Sequence, residues 1–67
     1  MIINKKDIKD LIPLVVDDEA FCLDAISIIL NNLGITTIIK ANNGLEAIDI
    51  IKIQAKSCKY FDFIVMD

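Results

Sequence analysis

The sequence predicts an α/β fold in which three parallel strands alternate with two helices, in the order strand, helix, strand, helix, strand. Three observations predict it. The apolar runs Leu14-Val15-Val16 and Phe63-Ile64-Val65-Met66 do not alternate polar with apolar residues, as strands buried on both faces do not. Between them, apolar residues recur twice with helical period, on either side of a β-branched run. Both runs stop at carboxylates, Asp17-Asp18-Glu19 after the first and Asp67 after the second. Parallel neighbours would bring Asp17, Asp18 and Asp67 to one edge of the sheet.

Met1 to Ile12 is a lead-in or linker, in which Lys5, Lys6, Asp7, Lys9 and Asp10 alternate with Ile8, Leu11 and Ile12. Pro13 stops a helix from running through and favours an extended residue before it. The first strand then covers about Leu14 to Asp17. The first helix covers about Glu19 to Leu33, with Cys22, Ile26, Ile29, Leu30 and Leu33 as its inward stripe and Asp24, Ser27 and Asn31 off it. Gly34 is its stop signal, and Asp18 and Glu19 suit the positive end of its dipole.

Ile35 to Ala41 is the second strand. Its threonines and Lys40 suit an edge position, where charge discourages unwanted pairing. Asn42-Asn43-Gly44 is a turn, with Asn43 and Glu46 spaced for a reciprocal capping box. The second helix continues to about Ala55, with Ala47, Ile48, Ile51 and Ala55 inward and Ile50 and Ile53 spreading beyond that stripe. Lys56-Ser57-Cys58-Lys59 leads to the third strand, which begins near Tyr60 or Asp62 and runs to Asp67.

A chain of 67 residues is one small domain at most. A core of that size rarely supplies more than about 3–5 kcal/mol. The composition is 55% hydrophobic, with a mean hydropathy of +0.58, which is easiest to understand if some apolar surface faces a partner. Net charge is −3 with no basic block, which argues against nucleic-acid binding by this segment. No apolar run reaches the about 18 residues of a membrane span, and the start lacks the order of a signal peptide. A cytoplasmic location is expected. Cys22 and Cys58 show no CxxC or Cys/His spacing, so they are read as thiols in packing or loop positions.

Ligands of open parallel sheets bind beyond the carboxyl ends of the strands. Carboxylates that converge there need a counter-charge, and a hard cation such as Mg²⁺ supplies it through one or two carboxylates and water. A carboxylate beside that ion is also a competent nucleophile towards phosphorus. The plain alternative is that these acids mark a solvated strand end and a helix start. Lys40 is read as a solvated edge charge, and Tyr60, Phe61 and Phe63 as core or strand-start residues. No Gly-rich phosphate loop is present.

Three segments in register decide between these. Leu14-Val15-Val16-Asp17-Asp18-Glu19, Asn43-Gly44-Leu45-Glu46-Ala47 and Asp62-Phe63-Ile64-Val65-Met66-Asp67 together resemble the receiver domain of two-component response regulators. The resemblance covers about residues 13–67, and Asp18-Glu19-Ala20-Phe21 is similar to receivers attached to hybrid histidine kinases. It implies a flavodoxin-like, doubly wound sheet, here the partial one of strand order 2-1-3, since the family continues to strands four and five. It implies phosphorelay signalling, in which Asp67 accepts a phosphoryl group from the phosphohistidine of a histidine kinase or histidine phosphotransfer protein. Asp17, Asp18 and Asp67 would form the Mg²⁺ site, with Asp18 a direct ligand and Asp17 acting partly through water. Gly44 and Ala47 would serve a tight turn and close packing of the second helix. The segment would be a phosphoacceptor and not itself an enzyme, although a parent protein could include a kinase.

The Ser/Thr and Lys that end the family's fourth and fifth strands do not occur at matching places in this chain. The expectation is therefore an N-terminal half of a receiver, from a truncated or split sequence. Such a half should give no cooperative response to Mg²⁺ with beryllofluoride and should expose the third strand as an aggregation-prone edge. An incomplete receiver acting only as an interaction module is the alternative. A metal-dependent phosphatase of the haloacid dehalogenase type would need Asp-x-Asp after the first strand, which Asp17-Asp18-Glu19 does not supply.

Overall fold

The structure is a computed structural model that describes residues 7–66. A 3₁₀ turn at Ile8–Asp10 leads into β1 (Pro13–Val16), α1 (Ala20–Asn32), β2 (Ile39–Ala41), α2 (Gly44–Lys56) and β3 (Phe63–Met66). The sheet has the order β2-β1-β3 and both pairings are parallel. The expected alternation, direction and order are all present.

β1 is the centre. Leu14 pairs with Ile39 and Val16 with Ala41 on one side; Pro13 pairs with Phe63 and Val16 with Met66 on the other. All four β1 residues are buried, as a run apolar on both faces requires. Pro13 can begin a central strand because only its own N–H is lost to the ladder. Just before it, Ile12 N–H donates to Asp62 Oδ2 at 2.7 Å and Ile12 O accepts from Asp62 N–H at 3.0 Å. This two-bond clamp sets the register of β1 against β3.

The period-2 alternation of β1 divides the core. Leu14 and Val16 join Ala41 and Ala47, with Ile39, Ile50, Ile51 and Phe61 packed around them, on the α2 side. Val15 joins Leu23, Leu30 and Ile35, with Ile26, Phe63 and Val65 among its neighbours, on the α1 side.

The expected helix faces need correction. In α1 the buried residues are Leu23, Ser27 and Leu30, while Ile29 and Leu33 are exposed. Apolar residues surround this helix, so periodicity alone could not select the face. Ser27 is accommodated because its hydroxyl donates to Leu23 O at 2.7 Å. In α2, Ala47 is buried and Ile50 and Ile51 pack on the core, whereas Ile48 and Ile53 are exposed.

β2 is also shorter than expected. Residues 35–38 lie outside it, although Ile35 is buried. Pairing starts at Leu14 and Ile39; the residue before Leu14 is Pro13, which has no N–H to give to a ladder. β2 does occupy an edge, with Lys40 Nζ 3.4 Å from Asp24 Oδ1 across exposed surface.

Both helices end in one motif. After α1, Gly34 N–H donates to Asn31 O at 3.0 Å and Ile35 N–H to Leu30 O at 3.1 Å. After α2, Cys58 N–H donates to Ala55 O and Lys59 N–H to Gln54 O, each at 2.9 Å. These are the paired bonds of a Schellman ending, which places one residue in the left-handed region. Among the described residues, no helix is long and apolar enough to cross a membrane.

Candidate functional site

The acidic residues stand where β1 gives way to α1. Asp17 is buried at 6% exposure, and its N–H donates to Ala41 O at 3.2 Å, extending the β1–β2 ladder by one bond. Its Oδ1 accepts from Glu19 N–H at 3.0 Å. That bond turns the chain towards α1, whose third and fourth residues, Cys22 and Leu23, donate their N–H groups to Glu19 O. Glu19 is the N-cap residue but its side chain caps nothing. The Asp17 carboxylate holds the turn instead, a local use of Asp that a polar loop signal does not distinguish from solvation. Asp18, next to it, is exposed.

Across β1, the turn before α2 faces the same end of the sheet. Asn43 Oδ1 accepts from Glu46 N–H at 2.8 Å, so half of the expected capping box forms. Glu46 Oε2 instead accepts from the Asn42 side chain, Nδ2, at 3.3 Å. Ala47 packs closely, as expected, at 2% exposure. Gly44 opens α2 directly after the turn at residues 42–43; it has no positive φ, and a Cβ there would meet no described residue within 4 Å, so its own position does not require glycine.

These pieces line one cavity of about 350 Å³, formed by Val16, Asp17, Asp18, Asn43, Gly44 and Met66. It draws one wall from each of the three sequence motifs. A second cavity of about 350 Å³ opens on the α1 side, where Asp17, Val65 and Met66 meet Phe21, Cys22, Ala25 and Ile26. Asp17 and Met66 thus separate two hollows, a role of Met66 foreshadowed in sequence only by its place next to Asp67. A larger cavity, about 640 Å³, lies at the opposite end of the sheet beneath Ile12, Thr37 and Phe61 and contains none of the expected site residues.

Asp67 lies outside the described residues. It follows Met66, whose partner in the register is Val16, the residue before Asp17. Among the described residues no group of three or more His, Cys, Asp or Glu side chains could hold a metal. Of the expected ligands, Asp17 and Asp18 are described at this edge. Their hard oxygens match the one or two carboxylates that Mg²⁺ takes alongside water. Asp17, with one oxygen already bonded to the backbone, has less to offer a cation directly than exposed Asp18.

Neither thiol belongs to a disulfide; Cys58 is exposed and half-buried Cys22 has its Sγ 3.6 Å from Glu19 Oε2. No family model, curated protein or solved structure significantly matches the chain.

Proposed function

We propose that this segment is the acceptor half of a phosphorelay receiver, taking a phosphoryl group on Asp67 from a phosphohistidine of a kinase or phosphotransfer partner. The observation that supports it is the single cavity walled by Asp17 and Asp18, by Asn43 and Gly44, and by Met66. Residues far apart in the chain, picked out by type and spacing, converge at the carboxyl ends of parallel strands, where such folds bind ligands.

In this reading an Asp67 carboxylate oxygen forms the new P–O bond while the P–N bond to imidazole breaks. The imidazole nitrogen keeps the electron pair and takes a proton from water. Asp18 would hold Mg²⁺, and Asp17 orients the turn through its bond to Glu19 N–H. The cation supplies charge neutralisation for the carboxylates and phosphoryl oxygens.

The test has two arms on the whole chain. Mg²⁺ titration should shift the amide resonances of Asp17, Asp18, Asn43 and Gly44. A small phosphoryl donor such as acetyl phosphate should then label Asp67 without a cooperative change of structure, with the label absent in Asp67→Asn and absent without Mg²⁺. No labelling at Asp67 together with no Mg²⁺ response would favour the second reading, an interaction module that is never phosphorylated. That reading draws support from exposed apolar residues such as Phe21, Ile64 and Met66 around the same edge.

A further inference from the structure

We propose that Asp62 is a positioning residue for the acceptor site: its carboxylate, bonded to Ile12 N–H, pins the one register of β3 that suits Asp67 as acceptor. The consequence for phosphoryl transfer rests on the phosphoacceptor reading of Asp67; the pinning of the register does not.

The side-chain pattern of β3 sets its register only weakly. Phe63, Ile64, Val65 and Met66 are apolar on both faces of the strand. A slip of one residue turns every side chain to the other face, which is costly where one face is polar. Here the slip exchanges Phe63 and Val65, which pack on the α1 cluster, for Ile64 and Met66. Apolar residues still meet the core.

The polar contact just ahead of the strand discriminates between registers. Asp62 N–H donates to Ile12 O at 3.0 Å, and Asp62 Oδ2 accepts from Ile12 N–H at 2.7 Å. The second bond ends on a side chain, so it depends on which residue stands there. Its acceptor is charged, which places it among the shorter and stronger hydrogen bonds. A slip of one residue would set Phe61 or Phe63 against Ile12, and neither has a side-chain acceptor. Pro13, next in β1, has no N–H with which to hold the ladder itself. With Ile12 and Asp62 bonded, the strands pair from Pro13–Phe63 to Val16–Met66. The residues that follow the last pair in sequence are Asp17 and Asp67. The same slip would move Asp67 by about 3.3 Å along the strand. Reacting atoms must approach to about 3–3.5 Å, so a displacement of that size separates the acceptor from a phosphoryl group held by a cation at Asp18.

The test uses the whole chain and reads register and transfer separately. In the parent, backbone nuclear Overhauser contacts should join Val16 with Met66, and the Ile12 amide should exchange slowly. Asp62→Ala should add a second set of contacts, from Val16 to the neighbours of Met66. It should also cut the labelling of Asp67 by acetyl phosphate about tenfold per folded molecule, the effect of losing one bond to a charged acceptor. Asp62→Asn keeps an acceptor oxygen and should label within about threefold of the parent. Gly34→Ala, a destabilised chain with Asp62 intact, should label like the parent per folded molecule. A single register in Asp62→Ala, labelling equal to that of the parent, or the same loss in Gly34→Ala would overturn the proposal. A fast-exchanging Ile12 amide in the parent would do so without any variant. If the parent takes no label, the acceptor reading fails, and the contacts in Asp62→Ala alone decide the register.

Discussion

Gly34 and Cys58 hold the same place in two successive helix endings, with φ of 103° and 56° respectively. Each donates its N–H to the carbonyl three residues back and passes the chain on to a strand or its approach. Glycine adopts this conformation without a Cβ conflict, whereas cysteine is strained by about 1–2 kcal/mol. Cys58→Gly is expected to stabilise the chain by about 1 kcal/mol. Gly34→Ala should lose about 1–2 kcal/mol, with its new Cβ placed 3.4 Å from Ile8 Cγ2. Urea midpoints moving in opposite directions would verify the pair.

Asp17 and Asp18 should separate stability from ligand binding. Asp17→Ala leaves Glu19 N–H without its acceptor and should cost about 1–2 kcal/mol. Asp18 is exposed, so Asp18→Ala should change stability by less than about 0.5 kcal/mol. The Mg²⁺-induced amide shifts should nevertheless vanish in Asp18→Ala. Denaturation and a Mg²⁺ titration on each variant give the four values needed.

Core position matters more than hydrophobicity in this chain. Leu14 is 0% exposed at the centre of the sheet, and Leu14→Ala should cost about 2–5 kcal/mol. That is comparable to the whole stability of a core this small, about 3–5 kcal/mol, so the variant should be largely unfolded by circular dichroism. Ile29 is 59% exposed, and Ile29→Ala should stay within about 0.5 kcal/mol of the parent.

The start of α2 offers a control within one turn. Asn43 caps Glu46 N–H, so Asn43→Ala should lose about 1 kcal/mol. Glu46 contributes through the helix dipole and an exposed contact to Asn42, so Glu46→Ala should cost about 0.5 kcal/mol or less. Equal losses in thermal melts would mean that the reciprocal capping bond forms in solution.

The strand order and the place of Asp17 and Asp18 at the carboxyl end of the central strand were legible because they depend on runs, turns and chain direction, whereas the approach of Asn43 and Gly44 to the same hollow was not. Leu14-Val15-Val16 could be little else than a central strand, and Asn43 advertised its cap. The inward face of α1 was not legible, since Phe21, Ile28 and Ile29 are as apolar as the residues that became buried. Ser27 looked polar and outward, yet its bond to Leu23 O makes it acceptable inside. Cys58 gave no sign of its left-handed backbone, because cysteine is not a residue that sequence patterns associate with that place.

The Ile12–Asp62 clamp joins residues 50 apart in sequence. Nearly the whole chain must be gathered before β3 can dock, so the loop-closure entropy falls on this one pairing. β3 is therefore expected to be the last element to join and the first to open. The cavity beside Asp17 has Met66 as a wall, so it exists in full only while β3 is docked. Any ligand that needs both walls is linked to that closure: it stabilises the docked state by its own binding free energy, and its apparent affinity falls with the fraction of chains in which β3 is open.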